Sequence, residues 1–319
     1  MKLSIYIQSN GILKRNSNTI QFVNEDIKKT IPIAQIRDIH CFGKVTISSG
    51  VIGLLSERNI PVHFYNMFGT HVSSLYPKRA LLSGKVLIAQ AKAHLSSQKR
   101  NEIARIFVES TRRNMRSVLQ TYKQRGKDTG SIEKAISQIP IPEGDLPHIM
   151  AAEAQIWKKY YQAFDIIAPA LPFVKRTFHP PENEMNSLIS LANTMIYNSV
   201  LSMISQTYLD PTISFLHEPA ERRYSLSLDI AEAYKPIIGH KIIFNLVNTK
   251  QISITSFTRK GGIRLKENKF QVFLKAFQDS MNSLVKGKKK VRYHTQIKYD
   301  CHRLVKHILG GRVFSPYTE

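Results

Sequence analysis

Apolar and polar residues alternate one by one along KLSIYIQ (residues 2–8), the period of a half-buried strand. TIQFVN, IPIAQIRDIHCFG, KVTIS and PVHFYN, between residues 19 and 66, repeat the theme as short runs bounded by Asn, Gly and Ser, and are further strand candidates. SGVIGLLSERN (49–59) fits a helical period better and predicts a short helix among these strands. FGTHVSSLYP predicts a last hairpin arm, ended by Pro77. After it the period changes. From Leu81 to Arg125 the chain reads as long basic helices, followed by two breaks, QRGKDTGS and the proline-rich QIPIPEGDLP. Helical patterns resume at residues 147–164, 182–209, 226–248 and 268–284, and a basic tail follows. The expected class is α+β: a small β-rich N-terminal domain (1–78) followed by a larger all-α domain (79–319).

Two helical patterns carry polar residues in unexpected places. Around Leu146–Phe164, Ile149, Trp157, Tyr160 and Phe164 share a face, and Glu153 falls within it. A carboxylate on an apolar stripe is costly unless a cation or an arginine satisfies it; an internal ion pair and a metal site both answer that need. In LHEPAERRYSLSLDIAEAY (216–234), Asp229 and Glu232 are three apart and so neighbours on one helical face. They fit a capping-box-like helix start, with YSLSLDI a strand running into it, as well as they fit a reactive pair.

Charge narrows the field. Of 319 residues, 46 are Lys or Arg against 23 Asp or Glu, a net charge of +23. Such an excess favours a polyanionic partner, nucleic acid above all. Cys41 and Cys301 are too few for a disulfide framework or a thiolate zinc site, which fits a reducing compartment. No apolar run is expected to span a bilayer, and a soluble cytoplasmic protein with no membrane partner is expected.

Several reaction classes are excluded by motif. HExxH would need His at 221, where Glu221 stands; no GxxxxGK[ST] phosphate loop and no GxSxG elbow occur, and KGGIRL (260–265) reads as a turn. What remains is one histidine, His217, with two or three carboxylates: an oxygen-rich set suited to Mg²⁺ or Mn²⁺ and so to phosphodiester chemistry.

At these residues the chain resembles the CRISPR-associated spacer-acquisition integrase family, the metal-dependent core endonuclease of the adaptation complex. Three motifs carry the resemblance in order: AAEAQIWKKYY, then MNSLISLANTMIYNSVLSMISQTYLDPTISFLHE, then YSLSLDIAEAYKP. ERNIPVHFYNMFG is similar to the family's β-domain. Ala154 and Ser214 stand where the family often has Gly, changes that touch packing more than ligand chemistry. The resemblance implies that Glu153, His217 and Glu232 hold Mg²⁺ or Mn²⁺, that Asp229 ligates with them or orients them, and that Asn186 supports the site. It implies joining of short DNA spacers to the repeat array by 3′-hydroxyl attack on a phosphodiester, and hydrolysis when water attacks instead. Its implied partners are double-stranded DNA, a second copy of the chain through the β-domain, and a small ferredoxin-like protein. Arg222 and Arg223, and the run Lys288, Lys289, Lys290 and Arg292, are the candidate DNA contacts. A repair nuclease acting on branched DNA and a non-catalytic nucleic-acid-binding protein are the competing readings.

Overall fold

The computed structural model describes the chain except residues 1, 67–68, 78–80, 178–179, 222–223, 260 and 288–289. It divides into two compact units, Met1–Leu82 and Ser83–Glu319. The first is strand-rich and the second mostly helical.

In the first unit, β1 (Leu3–Ile7), β5 (Ile36–Cys41), β7 (Val62–Tyr65) and β8 (His71–Leu75) form one sheet in the order β1-β5-β7-β8. The first three are parallel and β8 closes the edge antiparallel, as the hairpin-arm expectation has it. A second sheet runs β4 (Lys28–Pro32), β3 (Thr19–Val23), β2 (Gly11–Asn16), β6 (Val45–Ile47). β2 escapes the alternation reading because in GILKRN only Leu13 is buried. The run 31–43 is not one strand. Pro32, which has no N–H to give a ladder, caps one turn of 3₁₀ helix (Ile33–Gln35) before β5 begins. Ile7, Leu13, Ile20, Ile39, Cys41 and Val62 meet Val51, Leu54 and Leu55 of helix α1 (Ser49–Glu57) in a single apolar core.

Period two sends alternate residues of the first sheet away from that core. On this opposite face Tyr6 stacks on His40 with ring centroids 4.8 Å apart, His40 Nδ1 lies 2.9 Å from the Tyr65 hydroxyl, and Asp38 faces His40 at 3.2 Å. His63 and His71 each reach Ser74 Oγ at 2.7 Å. Asp38, His40 and His63 are all buried.

The second unit is built from α2 (Gly84–Leu95), α3 (Ser97–Gln124), α4 (Gly130–Gln138), α5 (Leu146–Tyr161), α6 (Ala163–Ile167), α7 (Glu184–Ile204), α8 (Ser225–Glu232), α9 (Lys241–Asn248), α10 (Glu267–Asn282) and α11 (Tyr293–Ile308). It is not purely helical. β9 (Phe257–Thr258) and β10 (Arg264–Leu265) pair antiparallel, and Gly261 and Gly262, with φ of +72° and +107°, make the turn expected at KGGIRL.

α7 corrects the view that no run approaches membrane-spanning length, for its 21 residues have the mean hydropathy of a spanning helix. Here the apolar surface is spent on the protein's own core: Met185, Leu188, Ile189, Ala192, Ile196 and Val200 are all buried. α3, α5 and α7 start where short polar side chains, Ser96, Asp145 and Asn183, accept a backbone N–H three residues on. Between α8 and α9 the chain widens into a π-helical segment, Lys235–His240. Pro236 cannot donate to the carbonyl of Glu232 four residues back, so α-helical bonding fails there. Gly239 in this segment lets α7 approach closely: a Cβ there would sit 3.1 Å from Ile196 Cδ1 and 3.2 Å from Ala192 Cβ.

Candidate active site

Glu153, His217 and Glu232 come from α5, from the loop before α8 and from the end of α8, and all three line one cavity of about 820 Å³. The sequence reading put Glu153 in the middle of an apolar face. In the structure that face is Ile149, Ala152, Ile156 and Tyr160, all buried, while Glu153 and Trp157 lie on its half-buried flank and border the cavity. Phe164 belongs to the next helix. Trp157 Nε1 donates to Glu153 Oε1 at 2.9 Å.

The loop bearing His217 is fixed through its backbone. Gln90 Nε2 donates to the carbonyl of Ile213 at 2.8 Å, His94 Nδ1 lies 2.7 Å from that of Ser214, and Arg100 Nε donates to that of Phe215 at 3.0 Å. Asp229 holds the other side. Its carboxylate accepts the backbone N–H groups of Phe215 (2.6 Å), Leu216 (3.0 Å) and His217 (3.0 Å) and lies 2.8 Å from His217 Nδ1. The helix-start reading of Asp229 and Glu232 is thereby corrected. α8 begins at Ser225, so YSLSLDI is helical from there and Asp229 is interior. Asp229 caps a loop from the side instead of capping its own helix. By accepting at Nδ1 it places the Nδ1–H tautomer and turns Nε2 towards Glu232 Oε1, 3.9 Å away.

Electrostatics mark the carboxylates as a repelling pair. Burial and then the charge of Glu232 push the Glu153 carboxyl up to about 7, against the pull of Lys235 and His217. Burial would lower His217, but the hydrogen bond and charge of Asp229, with the charge of Glu232, raise it overall. Lys235 supplies the nearest positive charge. Its buried ammonium pairs with Glu232 Oε1 and sits 5.1 Å from the Tyr197 ring centroid and 5.5 Å from that of Trp157. Burial opposes the charge on Lys235, but Glu232 and Tyr197 outweigh it and hold the amine charged.

Among the described residues no three His, Cys, Asp or Glu side chains are already gathered as a metal cage. The donor set nevertheless suits a hard divalent cation. Glu232 Oε2 and Asn193 Oδ1 are buried without a hydrogen-bond partner, both residues line the cavity, and the charge of Glu232 works with burial to raise Glu153 against the pull of Lys235 and His217.

Asn186 lies a step back from the cavity. Its side-chain oxygen accepts from Arg176 Nη1 (2.8 Å) and from the backbone of Thr177 (3.1 Å), and its amide donates to the carbonyl of Lys175 (2.7 Å). It thus pins the segment whose Lys175 and Arg176 form part of the cavity wall. Of the candidate DNA contacts, Arg222, Arg223, Lys288 and Lys289 lie outside the described residues. Lys290 is exposed, and Arg292 donates to the carbonyl of Asn282 at 2.8 Å. Glu218 pairs with Arg100 at 2.7 Å.

Sequence reasoning missed Lys235, Tyr197, Asn193 and Arg176 as members of the site. Lys235 had a signal: it follows Glu232 by three residues, so a cation and a carboxylate share a helical face. The other three are brought in by tertiary packing alone.

A half-buried carboxylate–imidazole–carboxylate set in a strongly basic helical unit is the kind of site found in proteins that process phosphodiesters. The comparisons with known proteins agree. Residues 5–279 match the family model described as CRISPR associated protein Cas1. A CRISPR-associated endonuclease Cas1 of Fusobacterium nucleatum is 37% identical over 99% of this chain and 96% of its own. The solved structure of a Cas1 protein from Thermotoga maritima is 35% identical, covers 98% of this chain and 99% of its own, and superposes with a TM-score of 0.86. A casposase bound to integration product shares the fold at 18% identity, with a TM-score of 0.83, 100% of this chain and 94% of its own covered. The chain therefore belongs to the Cas1 family.

Proposed function

We propose that this chain is a divalent-metal-dependent DNA integrase and endonuclease of CRISPR adaptation, with Glu153, His217 and Glu232 as metal ligands. The observation that carries the reading is the convergence of two mutually repelling carboxylates and an oriented imidazole on one cavity, with a buried Glu232 oxygen left unpartnered. Mg²⁺ or Mn²⁺ bound there would polarise a phosphodiester oxygen and lower the pKa of the attacking hydroxyl. Asp229 keeps the Nε2 lone pair of His217 directed into the site and holds its loop in place. Lys235 is the resident countercharge of Glu232. Lys158, Lys175 and Arg176 on the cavity wall are suited to phosphate oxygens.

In the proposed reaction the 3′-oxygen of a short DNA forms a bond to a repeat-strand phosphorus. The bond from that phosphorus to its own 3′-oxygen breaks, and the departing oxygen takes up a proton. One phosphodiester replaces another, so no nucleoside triphosphate is consumed. Water in place of the 3′-hydroxyl gives hydrolysis. Residues 79–319 serve as the catalytic and DNA-binding domain, and residues 1–78 as the surface for a second copy. The partners are double-stranded DNA and a small ferredoxin-like adaptation protein, in the cytoplasm. Arg222, Arg223, Lys288, Lys289, Lys290 and Arg292 are assigned to DNA phosphates.

The test is strand transfer of a 3′-hydroxyl oligonucleotide into repeat DNA with Mn²⁺ or Mg²⁺. Glu153→Ala and His217→Ala are expected to abolish transfer and to keep DNA binding. Retention of transfer by both variants would overturn the site. Cutting without joining, in the partner's presence, would favour a repair nuclease.

A further inference from the structure

The segment that follows α11 packs back along the helical unit, against the turn that carries Glu232 and Lys235. Phe314 is its apolar anchor: it is buried, with its ring centroid 5.2 Å from that of Phe107 on α3. Beyond Phe314 the attachment becomes polar. Asn114, fully buried in the middle of α3, donates one amide hydrogen to the carbonyl of Ala233 (2.7 Å) and the other to that of Tyr317 (3.2 Å), and its oxygen accepts from Glu319 N (2.8 Å). Asp300, buried on α11, makes a second bridge: one carboxylate oxygen accepts from the Tyr234 hydroxyl (2.6 Å) and from Tyr317 N (2.9 Å). The buried carboxylate of Glu319 accepts from the Tyr293 hydroxyl and pairs with Lys241 and Lys286.

The place of these bonds gives them a function. Ala233 and Tyr234 stand between Glu232 and Lys235, the carboxylate and the ammonium that pair at the cavity. At about 100° per residue, positions 232 and 235 share one side of the turn, and 233 and 234 form its back. Lys241, held by Glu319, opens α9 just after the π-helical segment, so Tyr317–Glu319 bind the chain on both sides of that segment. Regular helical bonding fails there because of Pro236, and the turn needs partners from elsewhere to keep one geometry. A segment kept only to cover apolar surface would be served by Phe314. It would have no use for two buried side chains whose bonds are divided between it and the turn behind Glu232.

We propose that Tyr317–Glu319, acting through Asn114 and Asp300, is a brace that positions Glu232 and Lys235 in the cavity. Asn114, Tyr234 and Asp300 line no part of that cavity and are positioning residues. The consequence for a divalent cation rests on the function proposed above; the bonding does not. With the brace cut, the same donors would be present but not held where one ion can take them together.

The experiment uses the full chain and two readouts. Trp157, the single tryptophan, reports the turn without metal, because the Lys235 ammonium lies 5.5 Å from its ring centroid. In EDTA, Asn114→Leu, close in volume but without the amide, and Tyr234→Phe are expected to red-shift Trp157 emission as Lys235 leaves the ring. Tyr317→Phe loses only the hydroxyl bond to the Lys286 carbonyl (2.9 Å), keeps the backbone bonds of the segment, and should emit as the wild type does. Mn²⁺ titration followed by electron paramagnetic resonance should show the dissociation constant raised about tenfold by Asn114→Leu, the scale of losing support behind a ligand. Tyr234→Phe should raise it about fivefold, the scale of one hydrogen bond. Strand transfer by both variants should recover at saturating Mn²⁺. Wild-type emission and Mn²⁺ affinity in both would overturn the brace, however far their melting temperatures fall, and so would an equal red shift in Tyr317→Phe. If the emission shifts but the wild type binds Mn²⁺ no better than Glu232→Gln does, the brace stands and the metal assignment falls.

Discussion

Each unit buries a cluster of ionisable side chains, and the two clusters answer burial in opposite ways. On the first sheet, burial alone would raise Asp38, but the hydrogen bond and charge of His40, with Ser4 and Arg37, hold its carboxyl well below the usual range. In the helical unit Glu153 goes up to about 7, because burial is reinforced by a second carboxylate and only partly offset by Lys235 and His217. The first cluster sets Arg37 and His40 beside a single acid. The second has two acids, Glu153 and Glu232, around one cavity, with Lys235 paired to Glu232. A buried acid with a depressed pKa marks a closed ion pair, whereas a raised one beside another acid marks a site short of a cation.

The largest expected effect separates function from folding. Glu153→Ala should reduce metal-dependent strand transfer by roughly a thousandfold or more, on the scale of losing metal-assisted charge stabilisation. The same variant should melt no lower than the wild type in EDTA, since a repelled carboxylate is removed. A lowered melting temperature would place Glu153 with the closed pair. Asp38→Ala should do the reverse. It leaves a buried His40 facing an empty position and should cost roughly 3–5 kcal/mol in denaturant unfolding. A neutral result there would dissolve the contrast.

Metal addition comes next. Mg²⁺ or Mn²⁺ at about a hundred times its dissociation constant should stabilise the wild type by about 2.7 kcal/mol and Glu153→Gln or His217→Ala much less. Equal gains in all three would mean that the ion binds elsewhere. The smallest effect is in pH. The carboxyl of Glu153 rises on folding from 4.5 to about 7, so its contribution to metal-free stability is full below about 4.5 and is lost as pH rises through 7. Across that window the wild type should lose roughly 1–3 kcal/mol relative to Glu153→Gln, discounted for partial exposure. A flat difference would show that Glu153 titrates normally.

The strand-rich half and the helical half could be read from the chain because each rests on local pattern, period two and period 3.6; of the three proposed ligands only Glu153 stood out locally, as an acid against an apolar stripe, while His217 and Glu232 were singled out by the resemblance of their motifs to the family's. What could not be read depends on distant partners. Asp229 sits three residues from Glu232, which suits a helix start, yet its acceptors are filled by a loop twelve to fourteen residues earlier. That loop is held by Gln90, His94 and Arg100, more than a hundred residues away. α7 has a composition that suits lipid as well as a protein core, and only its packing decides. The β9–β10 hairpin has two residues on each side, too few for any alternation to register.

The π-helical segment behind Glu232 sets a limit on how regular this protein can become. Deleting Pro236 would let α8 and α9 join as a continuous α-helix, with better backbone bonding than the segment now has. Each residue of an α-helix turns the chain by about 100°. If α9 kept its seat against the core, the deletion would swing Glu232 by that angle, away from His217 and Glu153. Selection for thermal stability alone would therefore favour a smoother helix with its carboxylate aimed at the wrong neighbours, so the irregular turn works as a phase shift between a helix that packs and a helix that presents.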